Sequence, residues 1–131
     1  MLGKLEKILV VDNSKKDREE IIKILVKSGY GSTNGYEIEE TDCGTKAVEK
    51  ARENKYHLIT LNWVMGPISS LSDWGTKATI QIRKFDKETP ILIISTGKDP
   101  LDVTEMGANA YVRKEYIEKT LPEALNQIYN L

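Results

Sequence analysis

The sequence holds a single cysteine, Cys43, and a single histidine, His57. One cysteine excludes an intrachain disulfide and suits a reducing compartment. One His and one Cys cannot assemble a His/Cys zinc centre within one chain. Long apolar runs are missing as well. Nothing approaches the ~20 residues needed to span a bilayer, and the first seven residues lack the apolar core of a secretory signal. A cytoplasmic protein with no membrane role is the expectation. Charge of one sign is not in excess: 19 Lys and Arg stand against 20 Asp and Glu, a formal net charge of -1. No overall field therefore draws the chain to nucleic acid or anionic lipid. Repeats, low-complexity segments and a second domain are not visible. Residues 1–131 are expected to form one domain, large enough to bury a core unaided, with any output carried by a partner protein.

What is present alternates. Residues 7–11, Lys-Ile-Leu-Val-Val, form a short continuous apolar run, as in a strand covered on both faces. Asp12-Asn13-Ser14 ends it. Ser14 and Asp17 resemble a capping box, which predicts a helix from about Lys15 with Ile21, Ile22, Leu25 and Val26 on its buried stripe. A turn-rich loop over 29–35 leads to a second strand, 36–41, nearer a sheet edge. Residues 45–54 predict a helix burying Ala47, Val48 and Ala51. Residues 57–61 predict a third strand that runs out at Asn62.

After Pro67 comes a polar turn with Ser72 or Asp73 as a helix cap. Trp74, Ala78, Ile82 and Phe85 then mark the buried face of a third helix. Thr89-Pro90 restarts the chain as an extended segment, and residues 91–94 form a fourth strand ending at Ser95 and Thr96. A short helix is expected over about 100–106, stopped by Gly107. A fifth strand over 110–113 ends at Lys114. The last helix is expected over about 121–130, with Thr120 and Glu123 as a capping box and Pro122 in the first turn.

Five strand–helix alternations call for a parallel sheet with right-handed crossovers and helices on both faces. The expected fold is a flavodoxin-like (βα)5 doubly wound sheet, strand order 2-1-3-4-5. In it Asp12, Asn13, Asn62, Ser95, Thr96 and Lys114 gather at the carboxyl edge, where open α/β sheets place their chemistry. Singly, each has an ordinary reading: Asp12 as a turn or cap residue, Ser95 as a satisfied turn hydroxyl, Lys114 as a solvated lysine. Tyr111 reads as a half-buried strand aromatic, Trp63 and Trp74 as packing residues, Cys43 and His57 as structural.

Together, residues 8–13, 58–67, 90–96 and 107–114 make the chain resemble, along nearly its whole length, a receiver domain of two-component signalling. The resemblance implies an acidic pair after strand 1 and an aspartate after strand 3 that hold one Mg²⁺, the latter taking the phosphoryl group. It also implies a Ser or Thr after strand 4 and a Lys after strand 5 that contact the phosphate, and an aromatic switch on strand 5. Asp12 matches the first acid, Ser95 the hydroxyl, Lys114 the lysine and Tyr111 the switch. Asn13 stands for the second acid and Asn62 for the phosphoacceptor. Glu115 replaces the usual proline, the loop after Met65 is longer, and the segment from Ser95 to Gly107 is about one helical turn short.

These departures change the chemistry expected. An acyl phosphate needs an anionic carboxylate as nucleophile, and an amide oxygen is not one. Mg²⁺ prefers several hard oxygen donors, carboxylates foremost, and of the three the family uses only Asp12 remains. The expectation is therefore a receiver-like module that is not an enzyme. It is not phosphorylated at Asn62, holds Mg²⁺ weakly or not at all, and has Lys114 paired with Asp12 or hydrogen-bonded to Asn62. Its partner, a histidine kinase or an output protein, would use the face of the fourth helix, fifth strand and fifth helix, including Tyr111, Arg113 and the surroundings of Tyr116. Two alternatives stand beside this: a working receiver in which Asn62 replaces the phosphoacceptor Asp, and a small-ligand sensor of flavodoxin-like fold. The second lacks a glycine-rich phosphate loop after strand 1.

Overall fold

The computed structural model describes residues 4–63, 75–96 and 103–129. Its strands are β1 (Glu6–Val11), β2 (Tyr36–Thr41), β3 (Leu58–Leu61), β4 (Ile91–Ser95) and β5 (Ala110–Arg113). Its helices are α1 (Lys15–Lys27), α2 (Gly44–Glu53), α3 (Gly75–Arg83) and α4 (Ile117–Tyr129). Short 3₁₀ turns occupy Ser32–Asn34 and Lys114–Tyr116. All strands pair in parallel, in the order β2-β1-β3-β4-β5, which is the expected flavodoxin-like topology. No helix among the described residues is long and apolar enough to cross a membrane.

Side chains of a strand alternate between faces, and the sheet divides its apolar residues accordingly. Leu9, Val11, Ile59, Leu61, Ile91 and Ile93 meet Ala47 and Ala51 of α2 and Ala78 and Ile82 of α3. Ile8, Val10, Leu58, Leu92, Ile94 and Val112 meet Ile21, Ile24 and Leu25 of α1 and Leu121, Ala124 and Leu125 of α4. The small residues of α2 and α3 let those helices approach the sheet closely. β2 is an edge strand, as expected, with four of its six residues carrying Glu or Thr side chains.

Several local expectations need correction. On α1, Ile24 is buried and Val26 is 50% exposed. The sheet takes the face at Ile21, Ile24 and Leu25, and Val26 lies a further 100° round the helix. Phe85 is 38% exposed, because α3 ends at Arg83 and the helical period ends with it. The Arg52 guanidinium covers its ring at 4.7 Å. The last helix starts at Ile117, not 121, so Thr120 is inside it and its hydroxyl donates to the Tyr116 carbonyl at 2.9 Å. Ile117 and Leu121 each contribute about 2 kcal/mol of burial, which offsets the hydrogen bond that Pro122 cannot donate.

Trp74, the Ser72 or Asp73 cap and residues 100–102 of the short fourth helix lie outside the described residues. The described remainder, 103–107, is turn. Gly107, at φ +107°, nevertheless closes it as a helix end would. The Ala108 amide donates to Val103 O at 3.0 Å and the Gly107 amide to Thr104 O at 3.1 Å, the paired bonds of a Schellman stop. Arg83 Nε then donates to Gly107 O at 2.7 Å. At the amino ends of the strands His57 stacks on Tyr129, centroids 4.8 Å apart, and the Tyr129 hydroxyl donates to His57 O at 2.8 Å. Its role is packing, as read from the sequence.

The turn before β4 hangs on Asp86. Its Oδ1 accepts from the amides of Glu88 and Thr89, each at 3.0 Å, and its Oδ2 from Thr89 Oγ1 at 2.6 Å. Burial pushes this carboxyl up, but the hydrogen bonds from Thr89, from the Glu88 and Thr89 amides and from Lys55 outweigh it and hold its pKa well below the carboxylate range. A depressed folded-state pKa stabilises above the unfolded value of about 3.9, and that stabilisation is lost as pH falls below it. Asp86→Asn is expected to cost about 2 kcal/mol at pH 7. In urea titrations the gap from the wild type should shrink between about pH 4 and pH 2.

Candidate functional site

The sheet brings the expected residues to one edge. Asp12 directly follows β1, Asn62 follows β3, Ser95 ends β4 and Lys114 follows β5. Backbone bonds carry the pairing past the strand ends: the Asp12 amide donates to Thr41 O at 3.1 Å and the Asn62 amide to Val11 O at 3.0 Å. Asp12, Asn62 and Ser95 are buried. Thr96, one residue on, is exposed and contributes its carbonyl, which accepts from the Tyr111 hydroxyl at 3.4 Å. The Tyr111 ring packs against the core beneath α2 and α3, as does the part-buried Trp63.

Asp12 is tied down through each of its oxygens. Its carbonyl accepts from Arg18 Nη1 at 2.6 Å, and Arg18 Nε also donates to Glu40 at 3.0 Å. Oδ1 accepts from the Ser14 amide at 2.9 Å, forming the turn into α1, where Ser14 Oγ caps the Asp17 amide as predicted. Oδ2 lies 2.7 Å from Lys114 Nζ, its counter-charge at ion-pair range without aligned hydrogen-bond geometry. Lys114 thus pairs with Asp12, one of the two arrangements expected.

A second partner was not expected. Lys114 Nζ also donates to Asp17 Oδ2, at 2.8 Å. The sequence suggested one carboxylate against one ammonium; the structure corrects this to two carboxylates sharing it. From the sequence Asp17 reads only as a member of the capping box. Its place in the first turn of α1, one turn beyond Asn13, was the available signal, but nothing local indicates that β5 ends opposite. Burial lowers the pKa of Lys114, and the close carboxylates of Asp12 and Asp17 outweigh it and raise the pKa above the ordinary lysine value. The group is an ammonium throughout the physiological range.

The two asparagines pair with each other. Asn62 Nδ2 donates to Asn13 Oδ1 at 3.3 Å, and Asn62 Oδ1 accepts from the Trp63 amide at 3.1 Å. Mg²⁺ needs hard, preferably anionic oxygens left free to face it. Among the described residues no group of three or more His, Cys, Asp or Glu side chains is placed to hold a metal ion. Asp12 and Asp17 turn an oxygen each to Lys114, and the amide oxygens of Asn13 and Asn62 already accept hydrogen bonds. This donor set does not fit the Mg²⁺ that the family resemblance implies.

Comparison with known proteins agrees with the topology. The response regulator receiver domain model matches residues 8–126. Chemotaxis protein CheY of Bacillus subtilis is 30% identical over 127 residues, covering 95% of this chain and 98% of CheY. Response regulator TrrA of Thermotoga maritima, solved in complex with Mg²⁺ and BeF, superposes with a TM-score of 0.76 at 26% identity, covering 95% of this chain and 99% of TrrA. Vibrio cholerae CheY4 gives a TM-score of 0.74 at 26% identity, covering 95% and 98%. The chain belongs to the response regulator receiver domain family of two-component signalling.

Proposed function

We propose that this receiver domain signals through protein contacts without accepting a phosphoryl group at Asn62. The observation that carries this reading is the engagement of the Asn62 amide. One end donates to Asn13 and the other accepts the Trp63 amide, so the group at the end of β3 is neutral and already satisfied. A phosphoryl acceptor there must be an anionic oxygen free to attack in line. Mg²⁺, which would neutralise the developing charge, finds few donors for the reasons above. The domain is no enzyme in this reading. Asp12, Asn13, Ser95 and Lys114 keep the shape of the family's pocket and are relieved of its reaction.

The partner is a signalling protein, a histidine kinase or an output protein, met in the cytoplasm on the face around β5 and the start of α4. Tyr116 is 63% exposed there, beside Arg113 and Glu115, whose charged ends lie 3.9 Å apart. An exposed aromatic next to a charged pair is the composition of an interface anchor with a polar rim. Incubation with acetyl phosphate and Mg²⁺ tests the central claim. Intact mass is expected to stay unchanged, and a phosphoryl adduct mapped to a pocket residue would overturn the reading.

A further inference from the structure

We propose that the Lys114 ammonium is the pocket's own built-in cation, clamping Asp12 and Asp17 together so that the site is held without a divalent ion. The inference rests on the reading that no phosphoryl transfer occurs here, and adds how the site is held instead.

The geometry is that of a bridging counter-ion. Asp12 is fully buried, and an uncompensated buried carboxylate is costly enough that it must be paired. Lys114, its side chain only 14% exposed, reaches Asp12 at 2.7 Å and Asp17 at 2.8 Å with the same nitrogen. Three donors on one ammonium suit two carboxylates at once. Asp17 is a positioning residue in this scheme: it draws the lysine toward α1 and away from the position of a ligand at the mouth of the pocket.

The clamp also joins elements. Asp12 directly follows β1, Asp17 lies in the first turn of α1, and Lys114 opens the 3₁₀ turn that runs into α4. That turn carries the exposed Tyr116. A covalently tethered cation has no dissociation equilibrium with the solvent, so the β5–α4 junction is held in one arrangement whatever the Mg²⁺ concentration. The partner face is then presented constitutively, without the metal dependence of a working phosphorylation site.

The test is Mn²⁺ binding by the whole chain, followed by the loss of the free-ion resonance signal, in the wild type, K114M and K114M/D17N. Removing the ammonium leaves two carboxylates facing one space, and K114M is expected to bind Mn²⁺ roughly tenfold or more tighter than the wild type. Adding D17N should abolish the gain. A K114M protein that folds poorly is expected to recover a higher Tm with Mn²⁺, which the wild type should not. No gain in either affinity or Tm, or a gain that survives D17N, would overturn the clamp. Acetyl phosphate labelling of the wild type overturns the underlying reading instead, so the two failures are told apart.

Discussion

Asn13→Asp and Asn62→Asp made together are expected to give a domain that binds Mg²⁺ at least about a hundredfold tighter than the wild type and takes up beryllofluoride with it. The reason lies in the amide pairing. Asn62 Nδ2 and Asn13 Oδ1 are donor and acceptor to each other at 3.3 Å. Asn62→Asp alone turns the donor into an acceptor, and Asn13 can answer by rotating its own amide to donate. Asn13→Asp alone leaves the Asn62 amide a better acceptor to donate to. Each single variant therefore keeps a satisfied pair and a metal-poor pocket. In the double variant both amide donors are gone, and two carboxylates lie side by side near Asp12. At such separations their repulsion is worth about 1–4 kcal/mol, which a divalent cation relieves. Calorimetric titration of Mg²⁺ into the four proteins checks it. Tight binding by Asn62→Asp alone would mean that the wild-type pocket lacks one acid and not two.

Gly75→Ala should reverse the usual sign of a glycine-to-alanine change in a helix. In an ordinary helix the alanine stabilises by about 1 kcal/mol. Gly75 opens α3 directly against the end of β3: its amide donates to Trp63 O at 2.8 Å, and an added Cβ would overlap the carbonyl of Asn62. That obstacle is backbone and cannot swing aside as a side-chain tip could. Leu61 Cβ, at 3.3 Å, closes off relief in a second direction. The variant is expected to lose about 3 kcal/mol in denaturant titration. Because the displaced carbonyl belongs to Asn62, its NMR signals and those of Asn13 should shift as well. An unchanged or raised stability would show that α3 does not approach β3 this closely.

The two predictions differ in what the sequence revealed of them. Asn13 and Asn62 stood out because they follow apolar runs at 7–11 and 57–61, and a residue just past a buried strand is carried to the sheet's edge by topology alone. Gly75 gave no such sign. It reads as an unremarkable glycine in a helical stretch, since the atom that excludes a side chain belongs to a strand end thirteen positions away along the chain.

Strand positions, their order and the edge at which Asp12, Asn62, Ser95 and Lys114 collect were determined by the amino-acid sequence alone. Those features depend on local periodicity and on the handedness of crossovers, which need no knowledge of distance. Tertiary structure alone decided how the pocket is charged. Asp17 and Lys114 are 97 residues apart, and no spacing rule relates them until β5 is laid beside β4 and α1 is seated over the sheet. Packing likewise chose Ile24 over Val26 on α1 and exposed Phe85, because a helix's phase against a sheet is set by the surface it meets. Near the site the physical reason is the same: a local pattern says which edge a side chain reaches, and only the assembled fold says which opposite charge is waiting there.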